Sequence, residues 1–191
     1  MVEFKEWPKI PRGQGEEVTI TEKIDGTNAC IIVQLDGHGK PFVVGAQSRT
    51  QLLAEFKMDG GLVIHSDNYG FAAWVKGNAE NLSILGKGYH YGEWAGPGIQ
   101  KNPHNLEKKT FFLFNSDRWR DGRAQRPVGV ECVPVLYEGP ASREAITTTM
   151  NALWASAKEK GYHPEGIVCW YHKTRRYEKV TFENANGKWA A

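Results

Sequence analysis

The chain has 191 residues, with 24 Lys and Arg against 22 Asp and Glu and a formal net charge of +2. This is the length of one domain able to bury roughly 70% of its unfolded surface, and its charge excludes a protein that coats nucleic acid by bulk positive potential. Three widely spaced cysteines, Cys30, Cys132 and Cys169, contain no CxxC pair, which excludes a disulfide framework or structural zinc site and points to buried thiols in a reducing, cytoplasmic setting.

The first third reads as antiparallel β structure. Val18-Thr19-Ile20-Thr21 alternates, and Ala29-Cys30-Ile31-Ile32-Val33 is apolar, so strands are expected at 17–24, 27–35 and 40–47. Asp25-Gly26 and Asp36-Gly37-His38-Gly39 separate them, which predicts a meander whose first tight hairpin is at Asp25-Gly26. Phe71, Trp74, Val75, Ala79 and Leu82 recur at helical spacing after the capping residues Ser66, Asp67 and Asn68, predicting a helix over 69–83 despite Gly77.

Strands at 88–94 and 110–115 follow, separated by a Gly/Pro/Asn-rich loop from Ala95 to Asn105. The clearest helix is 143–160, capped by Ser142, with Ile146, Met150, Leu153, Trp154 and Ala157 on its apolar face and Gly161 at its end. Strands at 166–171 and 177–183 close the chain. There is no repeat, low-complexity stretch or linker. No apolar run approaches a membrane span, and Met1-Val2-Glu3-Phe4-Lys5 is no signal peptide. The expectation is one α+β domain over 1–191, dominated by antiparallel sheet.

Six segments place chemistry on or beside strands. They are Glu22-Lys23-Ile24-Asp25-Gly26-Thr27-Asn28, Ser48-Arg49, Tyr91-Gly92-Glu93-Trp94-Ala95-Gly96, Phe111-Phe112-Leu113-Phe114-Asn115, Glu165-Gly166-Ile167-Val168 and Tyr177-Glu178-Lys179-Val180. Singly, each has an ordinary explanation. Lysines sit beside turns and on sheet edges, carboxylates end strands, and phenylalanines fill cores.

Taken in order, Lys23, Arg49, Glu93, Phe114, Glu165 and Lys179 resemble motifs I, Ia, III, IIIa, IV and V of the covalent nucleotidyltransferase superfamily, the ligases and capping enzymes. Lys23-Ile24-Asp25-Gly26 has the Lys-x-Asp-Gly form of motif I, and the likeness runs from Glu22 to about Glu183. DNA ligases and capping enzymes usually continue past the glycine with x-Arg. Thr27-Asn28 and Tyr91-Gly92-Glu93-Trp94 instead resemble the ATP-dependent RNA ligases of phage and RNA-editing type.

The resemblance implies an ATP-grasp-like ligase adenylation fold with flanking helices; most relatives append an oligonucleotide-binding (OB) or helical domain, and none is expected in the ten residues after Thr181. It implies that Lys23 attacks the α-phosphate of ATP, forms lysyl-AMP and expels pyrophosphate. A free lysine, with a pKa near about 10.4, is a poor nucleophile at neutral pH. A neighbouring cation and partial burial favour its neutral form, and Lys179 is the implied cation. Glu165 is implied on the metal side and Glu93 at the ribose or metal, for Mg²⁺ or Mn²⁺ held by one or two carboxylates. Phe114 would stack on adenine, with Phe112 the second choice, since base–aromatic stacking contributes about 1–3 kcal/mol. Glu22 and Ile24 flank the nucleophile in the nucleotide pocket. Arg49 suits a phosphate, and Asn28 the reactive phosphate or a 3′ end. The substrates implied are RNA strands bearing 3′-hydroxyl and 5′-phosphate ends.

The sequence departs from the pattern in places. Motif V usually reads Lys-x-Lys, and Thr181 holds the second position, so Lys173, Arg175 or Arg176 could supply the missing phosphate contact. Asn115 stands where relatives carry Asp. Ten residues follow Thr181, so RNA docking is expected to fall to this domain or to a separate subunit. His65, His104, His163 and His172 lack metal-ligand spacing and read as structural or exposed. The runs at 173–176 and from Arg118 to Arg126 are basic surface, open to phosphate contact. Rival readings are a minimal DNA ligase, a GTP-using guanylyltransferase, and a non-catalytic nucleotide- or nucleic-acid-binding module.

Overall fold

The computed structural model describes residues 15–119 and 125–182. Two sheets organise them. The strands are β1 (Glu17–Lys23), β2 (Thr27–Leu35), β3 (Pro41–Ser48), β4 (Leu52–Lys57), β5 (Gly61–Ile64), β6 (Gly88–Ala95), β7 (Thr110–Leu113), β8 (Val130–Cys132), β9 (Val135–Pro140), β10 (Gly166–Tyr171) and β11 (Arg176–Thr181). The smaller sheet has the order β11-β10-β1-β9, and the larger β5-β4-β3-β2-β6-β7-β8. Among the described residues, only β7 and β8 run parallel. The antiparallel-rich α+β expectation holds.

The expected hairpin at Asp25-Gly26 does not form. β1 pairs with β10 and β9, whereas β2 pairs with β3 and β6, so this dipeptide is the crossover between sheets. Gly26 is required for proximity: a Cβ there would collide with the Trp94 carbonyl oxygen and press on Ala95 and Glu93. A missing side chain at a close approach looks, in sequence, like a missing side chain in a turn.

Each sheet has its own core. Odd-numbered Ala29, Ile31 and Val33 of β2 face helix α1 (Phe71–Gly77), where Phe71, Ala72 and Val75 are buried with Trp94 and Phe111. The predicted 69–83 helix is divided. α1 stops at Asn78, α2 (Ala79–Leu82) restarts, and a 3-10 turn, Ser83–Leu85, ends it. The Asn78 amide donates to Trp74 O at 2.8 Å, side-chain competition for a helical carbonyl of the kind that interrupts helices. Asp67 does contribute a cap, accepting from Ala72 N at 2.8 Å.

On the smaller sheet, helix α3 (Arg143–Lys160) matches its predicted bounds. Ser142 Oγ accepts from Ala145 N at 2.9 Å, and Met150 and Leu153 pack on Val18, Ile20, Ile167 and Cys169. A third cluster, Ile24, Ala95 and Val133 with Leu106 and Phe112, joins the two halves beside the crossover.

Strands β4, β5, β8 and β9 carry no strong alternation and were not expected. The strand predicted at 110–115 ends at Leu113, and the last runs Arg176–Thr181, with residue 183 outside the described segments. Cys30 and Cys169 are buried but Cys132 is only partly so. Burial pushes the Cys30 thiol up to about 12 and Cys169 to about 11, which makes both poor nucleophiles. Among the described residues, no helix is long and apolar enough to cross a membrane.

Candidate active site

Strand alternation sorts the smaller sheet into two faces. Val18, Ile20, Ile167 and Cys169 point to α3; Thr19, Thr21, Lys23, Val168 and Lys179 therefore share the opposite face. Antiparallel pairing sets Lys23 opposite Gly166, which pairs with Thr181, and Thr21 opposite Val168, which pairs with Lys179. A Cβ at Gly166 would collide with the Val180 carbonyl, and its φ is +151°, so only glycine lets β11 close against β10 here.

Lys23 ends β1, and Glu165 immediately precedes β10. Lys23 Nζ donates to Glu165 Oε2 at 2.5 Å across 142 residues of chain. Their side chains are 23% and 30% exposed, shielded yet reachable by substrate. The predicted nucleophile and metal-side carboxylate are thus in direct contact.

The larger sheet supplies the rest of the cluster. Its even β2 residues and odd β6 residues point away from α1, and pairing aligns Asn28, Glu93 and Phe112 in one row across β2, β6 and β7. Asn28 Nδ2 donates to Glu93 Oε2 at 2.8 Å. Burial raises the Glu93 carboxyl to about 7; Lys23 and the Asn28 hydrogen bond act against that, while Glu165 and Asp25 reinforce it. These mutual effects bring Lys23, Glu165 and Glu93 into one electrostatic cluster.

Arg49 follows Ser48, whose partner is Ala29, so it continues the register toward Asn28 and is exposed. Phe114 lies just past β7, 46% exposed, its N–H donating to Tyr91 O at 3.0 Å. Phe112, on the same face, packs with Ile24 in the third cluster. Either ring borders the site. Phe114 offers the more open face, and Ile24 lies at the apolar floor.

Lys179 is exposed and lies across β10, one pleat repeat from the Lys23 row. Glu165, rather than Lys179, touches the Lys23 ammonium. The turn bearing Lys173, Arg175 and Arg176 sits at the far end of the sheet. Lys23 pairs with Gly166, whereas Val18 pairs with Tyr171, a run of five residues or about 17 Å. Thr174 there binds Glu16 and Arg176 stacks on Tyr171. That turn therefore stands apart from the Lys23 row. Arg118 donates to Leu85 O, and Arg126 pairs with Glu131; Arg120 and Arg123 lie outside the described residues.

Glu22 points to the α3 side, opposite Lys23. Its Oε1 accepts from Tyr162 at 2.9 Å and lies 3.2 Å from His104 Nε2, with the imidazole stacked on Tyr162. Burial and the Glu22 contact raise the Tyr162 hydroxyl. His104, read from sequence as structural or exposed, is structural: its side chain, 8% exposed, supports Glu22, the residue before Lys23. Nothing in the linear chain, where 82 residues separate the two, signals that.

Among the described residues, no three His, Cys, Asp or Glu side chains gather as a metal cage. A Mg²⁺ ion does not require one, since one or two carboxylates plus substrate phosphates and water complete its shell. Glu93 and Glu165 are hard oxygen donors in the right cluster, and they fit such an ion.

No curated protein matches the chain. Among solved structures it is similar to an RNA ligase of Naegleria gruberi: its form with AMP and manganese gives a TM-score of 0.56 at 20% identity, covering 88% of this chain and 50% of that one. A form of the same ligase with ATP and manganese gives 0.56 at 20% identity, over 88% and 50%. An apo form gives 0.55 at 21%, over 87% and 50%. The likeness establishes the nucleotidyltransferase-domain fold, and the chain spans about half the length of those ligases. The RNA ligase family profile matches residues 16–189, nearly the whole sequence, and the chain belongs to the RNA ligase family.

Proposed function

We propose that this chain is an ATP-dependent RNA ligase domain that works through lysyl-AMP on Lys23. The observation that carries the reading is the contact of Lys23 Nζ with Glu165 Oε2 at 2.5 Å, in one electrostatic cluster with the Asn28–Glu93 pair.

Lys23 Nζ attacks the α-phosphorus of ATP; the N–P bond forms as the bond to the β-phosphate oxygen breaks, and pyrophosphate departs. Glu165 Oε2 is placed to take the proton released from Nζ. Lys179 and Arg49 hold phosphate oxygens and stabilise the charge that builds there. Phe114 stacks on the adenine above Ile24. Glu93 and Asn28 bind the ribose or the reactive end. Glu165 and Glu93 would hold Mg²⁺ or Mn²⁺, whose charge would neutralise that of the phosphates. The 5′-phosphate of an RNA strand then attacks the AMP phosphorus, releasing Lys23 and giving a 5′-adenylylated end. A 3′-hydroxyl attacks that 5′-phosphate, forming the phosphodiester and releasing AMP.

The test is intact mass after incubation with ATP and Mg²⁺. One AMP is expected on Lys23, acid-labile and alkali-stable as a phosphoramide is, with none from GTP. An adduct that survives in Lys23→Ala, or labelling by GTP in preference to ATP, defeats the assignment.

A further inference from the structure

The end of β1 is tied to the connector between α3 and β10, residues 161–165, by two side-chain contacts. Lys23 Nζ reaches Glu165 Oε2, and one residue earlier Glu22 Oε1 accepts from the Tyr162 hydroxyl at 2.9 Å. Successive strand residues point to opposite faces, so the contacts grip the same two segments from both sides of β1. The second is reinforced from a third segment. His104 Nε2 lies 3.2 Å from Glu22 Oε1, and its ring stacks on Tyr162 with centroids 5.2 Å apart. That segment is itself bound to the connector: His163 N donates to Pro103 O at 3.0 Å, and Asn105 Nδ2 to Gly161 O at 2.7 Å.

Stability alone is a poor reason for this arrangement. The His104 and Glu22 side chains are only 8% and 7% exposed, and His104 Nδ1 is buried with no hydrogen-bond partner among the described residues. A buried carboxylate beside an imidazole with one unsatisfied nitrogen is costly to desolvate, and apolar side chains of similar volume commonly hold a fold as well or better. What they lack is direction. The carboxylate fixes where the Tyr162 hydroxyl sits, and Tyr162 is three residues from Glu165 on the same short connector.

The two contacts also differ in when they exist. Forming lysyl-AMP turns the Lys23 ammonium into a phosphoramide nitrogen, which removes the charge that binds Glu165. The Glu22 contact involves no reacting atom and persists. We propose that Tyr162 and His104 are positioning residues: through Glu22 they keep the connector docked, and so keep Glu165 beside the Lys23 nitrogen while that nitrogen carries AMP. This deepens the ligase reading and rests on it. When the lysine leaves again, its N–P bond breaks and the nitrogen takes up the proton that Glu165 received as the bond formed.

The experiment uses the full chain with ATP and Mg²⁺. It reads single-turnover formation of lysyl-AMP and the discharge of preformed lysyl-AMP by inorganic pyrophosphate, each as a rate constant and an amplitude. Tyr162→Phe and His104→Phe keep an aromatic ring and delete a contact with Glu22. Each should slow discharge about ten- to hundredfold, slow formation less, and leave the amplitude and the half-saturating ATP concentration unchanged. His104→Gln, which returns a donor near the Nε2 position, should recover most of the loss. Discharge at the wild-type rate in both Phe variants overturns the inference. So does equal slowing in both directions, a loss confined to amplitude, which marks a fold defect, or a change confined to the ATP requirement, which marks a nucleotide contact. A wild type that forms no lysyl-AMP defeats the ligase reading itself and takes this inference with it, so the two failures are distinct.

Discussion

The two sheets contribute to the cluster on different physical terms. The smaller sheet presents an ion pair: Lys23 and Glu165 meet across 142 residues, at the ends of adjacent strands, with a quarter or so of each side chain open. The larger sheet presents a buried carboxyl, Glu93 at 8% exposure, held by its neighbour Asn28 and raised to about 7. The Lys23–Glu165 pair stays partly open to solvent, as the proposed exchange of a nucleophile between partners requires. The larger sheet fixes a donor–acceptor pair by cross-strand register, as a binding subsite requires. Desolvation is tolerated where nothing has to move.

The largest expected effect sharpens the contrast on the smaller sheet. Glu165→Ala and Lys179→Ala should each slow single-turnover lysyl-AMP formation by two to three orders of magnitude, about 2.7–4 kcal/mol. A variant lacking the side chains of Lys173, Arg175 and Arg176 should stay within about threefold, because that turn is at the far end of the sheet. The reverse pattern would relocate the phosphate contact to the turn and undo the assignment of Lys179.

The larger sheet's part is tested by pH. The Glu93 carboxyl titrates at about 7 when folded against 4.5 ordinarily, so between those values the folded state binds more protons than the unfolded chain. Stability should then be highest below the lower value, fall as pH rises through the window, and level off above it, by as much as about 3 kcal/mol. Urea unfolding of Glu93→Gln should lack this part of the slope. An identical pH profile in the wild type and the variant would mean that Glu93 is not the buried acid described here.

The crossover between the sheets comes next. Gly26→Ala has to push Trp94, Ala95 or Glu93 aside, and overpacking of this kind costs about 1–3 kcal/mol. Both stability and adenylylation should fall. Normal values for both would show that the sheets tolerate a wider separation. Smallest is a control away from the cluster. Ser142→Ala removes the cap of α3 and should cost about 1 kcal/mol of stability in urea unfolding, with lysyl-AMP formation at the wild-type rate. A matching loss of activity would tie α3 to the chemistry.

Legibility in sequence followed the range of the interaction. Helix α3 was found to the residue because cap, apolar face and terminating glycine all lie within one continuous segment. The strands β1, β2, β3, β6 and β10 were found by local alternation or apolar runs. β8 and β9 were not, since three to six residues leaning on β7 and β1 have little pattern of their own. The Lys23-Ile24-Asp25-Gly26 segment was read as a hairpin and is a crossover between sheets, because the hairpin signal reports a glycine and not the reason for it.

By itself the sequence determined the family resemblance and the antiparallel-rich class, because these are carried by residue types in local patterns. Only the tertiary structure decided which residues meet. The Lys23–Glu165 contact, the Asn28–Glu93–Phe112 row and the support of Glu22 by His104 and Tyr162 all depend on strand register and on the exchange between sheets at Gly26. A one-residue shift of register would turn every one of these side chains to the opposite face. Register is set by the burial of whole faces, a property of the assembled sheets that no short stretch of this chain contains.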